Sequence, residues 1–238
     1  MPEGAQVQRM FSGIAGRYDL LNHVLSFGLD GWWWRRMASR AAAGPGLRFL
    51  DVAAGTGDSS VALARRGAEV VSTDFTHAML RLGPAKFRRL DLNRRIWASV
   101  DADAQRLPFR DESFDGVTIC YGIRNVEDRP RAYGEFLRVL APGGRLTILE
   151  FSRPVWGLRQ LYDLYSRFVL PRVGGWISGD PTAYAYLPES IRRFPDGPGL
   201  ARELEAAGFG EVEWERLSGG IVALHTGRKT VTETSASR

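Results

Sequence analysis

The chain has 238 residues, 44% of them hydrophobic and 25% charged, which is the size and composition of one large globular domain with a full core. Its formal charge is +5 and nearly all of its basic residues are arginine, which suits nucleic acid, anionic lipid or phosphate partners and is equally typical of a solvated surface. No signal-peptide pattern and no apolar run of about 18 residues is found, and the single cysteine, Cys120, excludes an internal disulfide and a multi-cysteine zinc cluster.

The first part of the chain is helical in pattern. Residues 6–42 have apolar spacing close to 3.6, which predicts two or three helices. After residue 42 the helical period gives way to short apolar runs, each followed by glycines or acidic residues. Helical stretches separate these runs. The predicted strands are 47–53, 68–74, 95–103, 114–122 and 145–152. Strands that alternate with helices in this way predict an α/β fold with a parallel sheet covered on both faces.

Helices are predicted between these strands, beginning at Asp58, at Phe75 and at Arg129, and the last of the three runs up to the Pro142-Gly-Gly turn. A less regular, mixed helical stretch follows over 154–207. Residues 209–229 read as two strands joined at 218–220, which predicts an antiparallel hairpin at the edge of the sheet. The residues after Lys229 are polar, and we expect a disordered tail.

The glycine loop after the first strand, Asp51-Val-Ala-Ala-Gly-Thr-Gly-Asp58, indicates a ligand site. Ligands of such sheets bind at the carboxyl ends of the strands, where glycines permit close backbone approach and a helix N-terminus offers unpaired N–H groups. The third glycine of a dinucleotide fingerprint is replaced by Ser60, and no Gly-Lys-Ser/Thr follows. The loop therefore suits a ligand without phosphate and with some positive charge.

The next two strands end in acidic residues. Asp74 closes the second strand, where a carboxylate can accept both hydroxyls of a ribose. The third strand ends in Asp101-Ala-Asp103-Ala104, where a side chain can accept from an adenine amino group. These features together suit a ligand that contains a nucleoside and a positive charge but no pyrophosphate. S-adenosylmethionine is such a ligand, and we expect it to be the cofactor.

Several longer stretches carry a family resemblance. They are FSGIAGRYDLLNHVLSFGLD (11–30), LDVAAGTGD (50–58), DADAQRLPFRDESFD (101–115), YGIRNVED (121–128), FLRVLAPGGRLTILEFSRP (136–154), YAYLPESIRRFPD (184–196) and AAGFGEVEWERLSGGIVALHTGRK (206–229). With these stretches the chain resembles the ubiquinone/menaquinone biosynthesis C-methyltransferases, which are class I S-adenosylmethionine-dependent methyltransferases.

The resemblance implies a fold and a division of the chain. It implies a Rossmann-like class I methyltransferase with a seven-stranded, mostly parallel sheet, a C-terminal antiparallel hairpin and N-terminal lid helices. Residues 1–44 are then the helical lid, 45–229 the methyltransferase domain and 230–238 the tail.

The loop and the resemblance together predict the cofactor residues. They are Asp51, Ala53, Gly55, Thr56, Gly57, Asp74, Phe75, Asp103, Ala104 and Cys120. Cys120 stands where the family often has serine, and a thiol is a weaker hydrogen-bond partner.

The reaction that the family carries out predicts the catalytic residues. A sulfonium methyl is moved to a ring carbon of a reduced isoprenoid quinone, so the site has to align carbon and sulfur, release a proton and stabilise a phenolate. Arg124 and Asn125 are expected to hold the phenolate or position a water, and the alternative is that Arg124 pairs with Glu127 or Asp128 in a surface turn. His225 is the other acid/base candidate, with a hydrogen-bonded core position as its alternative.

The substrate and the partners follow from the same resemblance. The residues expected around the quinol are Tyr18, Asn22, Tyr121, Tyr184 and Tyr186. The Trp- and Arg-rich segment 32–36 suits contact with a lipid surface, and packing of its tryptophans into the core is the alternative. We expect no metal and no nucleic acid partner, a cytoplasmic protein at most peripheral to the inner face of the membrane, and a homodimer as a plausible state.

The acceptor is expected to be demethylmenaquinol, as in menaquinone biosynthesis, with benzoquinol methylation in ubiquinone biosynthesis as the alternative. An RNA methyltransferase is less favoured, because the Asn/Asp-Pro-Pro-aromatic stretch of amine methylation is replaced by Tyr121-Gly-Ile-Arg-Asn125. A non-catalytic S-adenosylmethionine-binding regulator is the remaining alternative, and the intact Arg-Asn pair argues against it.

Overall fold

The computed structural model describes residues 8–9, 12–13, 15–155, 157, 160, 164 and 182–230, and its centre is a seven-stranded sheet. The strands are Arg48–Val52 (β1), Glu69–Asp74 (β2), Ile96–Asp101 (β3), Phe114–Cys120 (β4), Leu140–Phe151 (β5), Phe209–Leu217 (β6) and Val222–Lys229 (β7). The predicted strands and the predicted hairpin are thus found at or close to their expected positions.

The strand order is β3-β2-β1-β4-β5-β7-β6. The first five strands of the chain are parallel, and β7 lies antiparallel between β5 and β6. The order reverses between β1 and β4, so a crevice opens at their carboxyl ends, which is where open α/β sheets bind ligands. The predicted mostly parallel sheet with an antiparallel C-terminal hairpin is confirmed.

Helices cover both faces of the sheet. They are Tyr18–Leu25 (α1), Asp30–Arg40 (α2), Asp58–Arg65 (α3), His77–Leu80 (α4), Gly83–Arg89 (α5), Arg129–Val139 (α6), Thr182–Arg193 (α7) and Gly197–Ala206 (α8). Asp128 and Asp196 cap α6 and α8 by accepting from the backbone N–H three residues on, at 3.0 and 2.9 Å. Both helices have proline in their first turn, where its missing N–H costs nothing.

Successive residues of a strand pack into two different hydrophobic cores, one on each face of the sheet. Leu50 and Ile119 point to one face and pack with Phe136 of α6, whereas Phe49 points to the other face and packs with Met37 of α2. All of these side chains are almost completely buried. The period of two along the strands therefore produces the three-layer arrangement.

Two predicted boundaries were wrong. Helix α6 ends at Val139 rather than at Pro142, and β5 begins at Leu140 rather than at Arg145. Leu140 pairs with Phe114 and Arg145 with Gly116, so the Pro-Gly-Gly segment is an irregularity inside the strand rather than a turn before it. The helix predicted from Phe75 is divided into α4 and α5.

The predicted lid contributes α1 and α2. Trp33 is buried and its Nε1 donates to Ser218 Oγ at 2.9 Å, and Arg36 forms an ion pair with Glu215 at 2.6 Å. Trp32 is 43% exposed, so this tryptophan-rich segment is divided between the core and the surface. The tail from residue 231 and most of 156–181 lie outside the described residues.

Candidate active site

The glycine loop after β1 has the backbone conformation that its sequence predicts. Ala53, Gly55 and Gly57 all have positive φ, at 53°, 57° and 90°. A Cβ at Gly57 would lie 2.4 Å from the Phe87 ring, so this position requires glycine for space as well as for conformation. Helix α3 begins at the next residue, and its N-terminus therefore faces the carboxyl edge of the sheet.

Asp74, the last residue of β2, is hydrogen-bonded to this loop. Its Oδ2 accepts from Gly55 N–H at 2.8 Å and its Oδ1 from Thr76 N–H at 2.6 Å. Burial raises the pKa of the Asp74 carboxyl, and these two hydrogen bonds oppose the shift. Each carboxylate oxygen keeps a further lone pair, so Asp74 can both fix the loop and accept from a ligand.

A cavity of about 190 Å³ lies at this edge of the sheet. Most of the predicted cofactor residues lie in its wall. Asn125, predicted for the reaction, and Tyr121, predicted for the quinol, lie there as well. The predicted residues in its wall are Ala53, Gly55, Asp74, Phe75, Asp103, Ala104, Cys120, Tyr121 and Asn125. Other residues of the wall were not predicted as site residues, and Met79, Gln105 and Val126 are examples; each lies within six residues of the end of a strand.

Gln105 fixes the carboxylate expected at the adenine. Its backbone N–H donates to Asp103 Oδ1 at 2.9 Å, and its side-chain amide contacts both carboxylate oxygens. Cys120 also lies in the cavity wall, and burial raises the pKa of its thiol well above the usual range, so it is a neutral wall group. Contact of these residues with a cofactor stays a prediction.

Asp51, one of the predicted cofactor residues, does not line the cavity. Its carboxylate is fully buried and accepts from Ser59 and Ser60 of α3 at 2.6 and 2.5 Å and from Thr118 of β4 at 3.0 Å. Burial raises its pKa to about 6, against the effect of these three hydrogen bonds. Asp51 therefore joins β1, β4 and the first turn of α3 beneath the loop.

Thr56, another predicted cofactor residue, does not line the cavity either. Its side chain is buried, its hydroxyl donates to Asp19 of α1, and it accepts from Lys86 Nζ at 3.2 Å. Neither Asp19 nor Lys86 was predicted as a site residue. A signal for Lys86 was available, because it is one of two lysines in a chain whose other basic residues are arginine.

The turn after β4 lies against the glycine loop. Tyr121 has a positive φ of 56°, and a Cβ at Gly122 would lie 2.5 Å from the Ala53 Cβ. The two strand-end turns are thus in close contact, which sets Asn125 into the cavity wall.

Arg124 is buried, and its partner is Glu150 rather than the predicted alternatives Glu127 and Asp128. Its guanidinium lies 2.6 Å from Glu150 Oε1 and also donates to the carbonyl of Tyr121. The side chains of Arg124 and Glu150 are only 5% and 1% exposed. Burial raises the pKa of Glu150, and Arg124 opposes the shift. A carboxylate inside the apolar run Leu-Glu-Phe was the available signal for Glu150.

His225, the other predicted acid/base candidate, does not line the cavity. It is 1% exposed in β7, donates from Nε2 to the Gly197 carbonyl at 2.9 Å, and stacks on Trp214. Burial lowers its pKa to about 4, so it is neutral at physiological pH. The alternative of a hydrogen-bonded core residue is the one that the structure supports.

The remaining predicted substrate residues are placed by their helices. Asn22 is half-buried on α1 and is not in the cavity wall. Tyr18 begins α1, and Tyr184 and Tyr186 belong to α7, but their side chains lie outside the described residues. In the described part of the chain, no three His, Cys, Asp or Glu side chains are grouped to hold a metal ion. No helix described is long and apolar enough to cross a membrane.

Comparison with known proteins agrees with this geometry. Residues 2–229 match the ubiE/COQ5 methyltransferase family. The chain is 46% identical over 228 residues to a demethylmenaquinone methyltransferase of Streptomyces avermitilis, covering 95% of each chain. It is 49% identical to a protein of that name from Beutenbergia cavernae, covering 98% of this chain and 95% of the relative. A ubiquinone/menaquinone biosynthesis C-methyltransferase of Idiomarina loihiensis is 44% identical, with 94% and 90% covered.

Solved structures share the fold at low identity. The [4+2]-cyclase SpnF matches with a TM-score of 0.72 at 20% identity, covering 97% of this chain and 98% of that one. An S-adenosylmethionine-dependent methyltransferase of Thermotoga maritima matches with a TM-score of 0.65 at 20% identity, covering 93% and 99%. The predicted fold class and methyltransferase activity are confirmed, and the chain belongs to the ubiE/COQ5 methyltransferase family.

Proposed function

We propose that this chain is an S-adenosylmethionine-dependent C-methyltransferase whose acceptor is demethylmenaquinol, as in menaquinone biosynthesis. The observation that carries the proposal is the cavity between the β1 and β4 edges, in which Asp74, Asp103 and Asn125 meet. The relatives named demethylmenaquinone methyltransferase are 46–49% identical to it along nearly their full length.

The cavity wall fits the cofactor. Asp74 keeps acceptor capacity for the ribose hydroxyls, and Asp103 with Ala104 forms the wall where an adenine would lie. The backbone at Ala53 and Gly55 supplies polar groups close to the β1–β4 crevice without any phosphate-binding sequence. When bound, S-adenosylmethionine supplies a methyl group activated by its sulfonium.

The residues of the turn after β4 act on the acceptor ring. Asn125 lines the cavity and orients the ring hydroxyl or a water beside it, so that the ring carbon becomes nucleophilic as the proton leaves. Arg124 is permanently charged and lies next to it, paired with Glu150. Arg124 does not itself line the cavity: its hydrogen bond to the Tyr121 carbonyl holds the turn, and its charge stabilises the phenolate from behind the cavity wall.

The test is methyl transfer from labelled S-adenosylmethionine to reduced, short-tailed demethylmenaquinol, with the matching benzoquinol and bulk tRNA in parallel. We expect label in the naphthoquinol. Label in both quinols would establish a dual-purpose enzyme, in keeping with the relative named for both pathways. Label in neither quinol, with cofactor bound, would contradict the proposed reaction.

Contact with a lipid surface is the remaining part of the proposal, because an isoprenoid quinol is a membrane lipid. Leu20, Val24, Phe27, Leu29 and Trp32, all from α1, α2 and the turn between them, are large apolar side chains that are more than 40% exposed. Phe27, at 79% exposed, is at the tip of that turn. The net positive charge of the chain favours anionic lipid.

Vesicle co-sedimentation tests this surface. Phe27→Asp places a charge where an apolar ring would enter the lipid, so we expect binding to phosphatidylglycerol-rich vesicles to fall several-fold. Trp97→Asp, at 60% exposed on β3, is the matched control. Equal binding by both variants would contradict the proposed lipid contact.

The expected homodimer is tested separately, by sedimentation of the free protein.

A further inference from the structure

Helix α1 is joined to the glycine loop by four side chains, which are Asp19 of α1, Thr56 and Asp58 of the loop, and Lys86 of α5. Lys86 of α5 places its Nζ 2.6 Å from Asp19 Oδ2, 2.7 Å from Asp58 Oδ1 and 3.2 Å from Thr56 Oγ1. The Thr56 hydroxyl donates in turn to the other carboxylate oxygen of Asp19. Each of the three ammonium hydrogens therefore has an acceptor.

Lys86 is the most buried of the three charged members of this group. Its side chain is 11% exposed, against 32% for Asp58 and 45% for Asp19. Burial raises the pKa of Asp58, Lys86 opposes the shift, and Asp19 adds to it. Without the ammonium, two carboxylates would face each other at the start of α3, and their repulsion would push α1 away from the loop.

The type of cation also fits. The ammonium of lysine is compact and bonds in three directions, whereas the guanidinium of arginine is a wide plane. Lys86 is one of two lysines in the chain. The other, Lys229, pairs with Glu112 at 3.2 Å near the end of β7, far along the chain from the loop.

We propose that Asp19 and Lys86 are positioning residues for cofactor binding. They hold α1 on the glycine loop and thereby fix Thr56 and the first turn of α3 in the shape that receives the amino-acid end of S-adenosylmethionine. This inference rests on the proposed function only through its cofactor, because it does not depend on the acceptor.

Calorimetric titration with S-adenosylmethionine and with its demethylated product tests the proposal. Lys86→Met should raise both dissociation constants by roughly tenfold, because it leaves two partly buried carboxylates without their cation. Asp19→Asn, a gentler change, should raise them less, and Lys86→Arg should restore part of the loss. With the quinol, Lys86→Met should raise the cofactor KM far more than it lowers kcat. Lys229→Met is the matched control and should bind as the wild type does.

Positioning and simple charge attraction predict opposite signs. Lys86→Met makes the group more negative, so attraction alone would tighten binding of the cationic cofactor while leaving the product unchanged, and that result would overturn the proposal. Unchanged binding by both Lys86→Met and Asp19→Asn would overturn it as well. In the double variant, the loss should be smaller than the sum of the single losses. A wild-type protein that binds no S-adenosylmethionine would instead contradict the proposed function.

Discussion

The cavity edge of the sheet and the β6–β7 hairpin both bury polar side chains, and they do so in opposite ways. At the cavity, Asp74 and the Arg124–Glu150 pair are charged groups held by several hydrogen bonds each. At the hairpin, His225 is a single neutral ring with one hydrogen bond and an aromatic neighbour. Burial alone therefore does not mark a functional group in this molecule.

The difference follows from the backbone at each place. Parallel strands end together at the cavity edge, and the positive φ angles of Ala53 and Tyr121 turn the chain away so that a space remains between the turns. The hairpin strands continue their pairing past His225, which is opposite Ile148 and Trp214. No space remains there, and the imidazole is a packing element.

Replacing Arg124 should give the largest effect on the reaction. Arg124→Ala removes the charge proposed to stabilise the phenolate, so we expect turnover to fall by roughly two to three orders of magnitude, as for a lost oxyanion donor. Affinity for S-adenosylmethionine, measured by calorimetry, should change much less. Unchanged turnover would remove the proposed role.

A control separates this effect from loss of structure. Arg129 pairs with Glu203 at 2.8 Å and lies over the Phe194 ring at 5.5 Å, much as Arg124 pairs with Glu150 over Phe151 at 5.4 Å. Arg129→Ala should lower thermal stability but keep turnover. Arg124→Lys, which keeps a cation for Glu150, should fold well and still be slow, because the shorter lysine side chain does not bring its charge to the position of the guanidinium Nη1, which contacts both Glu150 and the Tyr121 carbonyl.

Replacing Asp74 should reduce the affinity for the cofactor more than it reduces turnover. Asp74→Ala removes the acceptor for Gly55 N–H as well as the proposed ribose partner, so we expect the dissociation constant for S-adenosylmethionine to rise by roughly 10- to 100-fold. Asp101→Ala is the matched control, because Asp101 ends the adjacent strand but is exposed and bonded to His77. Tight binding by the Asp74 variant would contradict the ribose assignment.

Much of the fold could be predicted because short-range patterns decide it. Apolar runs of period two, glycine-closed strand ends and the alternation with helices indicated the sheet and its hairpin. The boundary at Leu140 could not be predicted, because the pairing of Leu140 with Phe114 is a contact between distant residues that overrides the usual meaning of Pro-Gly-Gly.

The site could be predicted in position more than in detail. Asp74 and Asp103 were found because strand ends point to one edge, which follows from topology. The side-chain directions of Asp51 and Thr56 could not be predicted, because they depend on partners such as Ser59 and Lys86 that are contributed by other elements. Residue type at a motif position does not determine which way the side chain turns.

His225 should give the smallest effect on the reaction and a distinct effect on stability. His225→Gln keeps a donor near the Gly197 carbonyl, and we expect turnover to stay within about twofold of the wild type, since the ring does not line the cavity. The pKa of His225 is lowered from 6.5 to about 4 by folding, so the unfolded chain binds the extra proton first as the pH falls. Between pH 7 and pH 4, the free energy of unfolding of the wild type should therefore fall by about 3 kcal/mol more than that of the variant. Denaturant unfolding of both proteins across this range measures the difference, and parallel stability curves, or a large loss of turnover at neutral pH, would return His225 to the list of acid/base candidates.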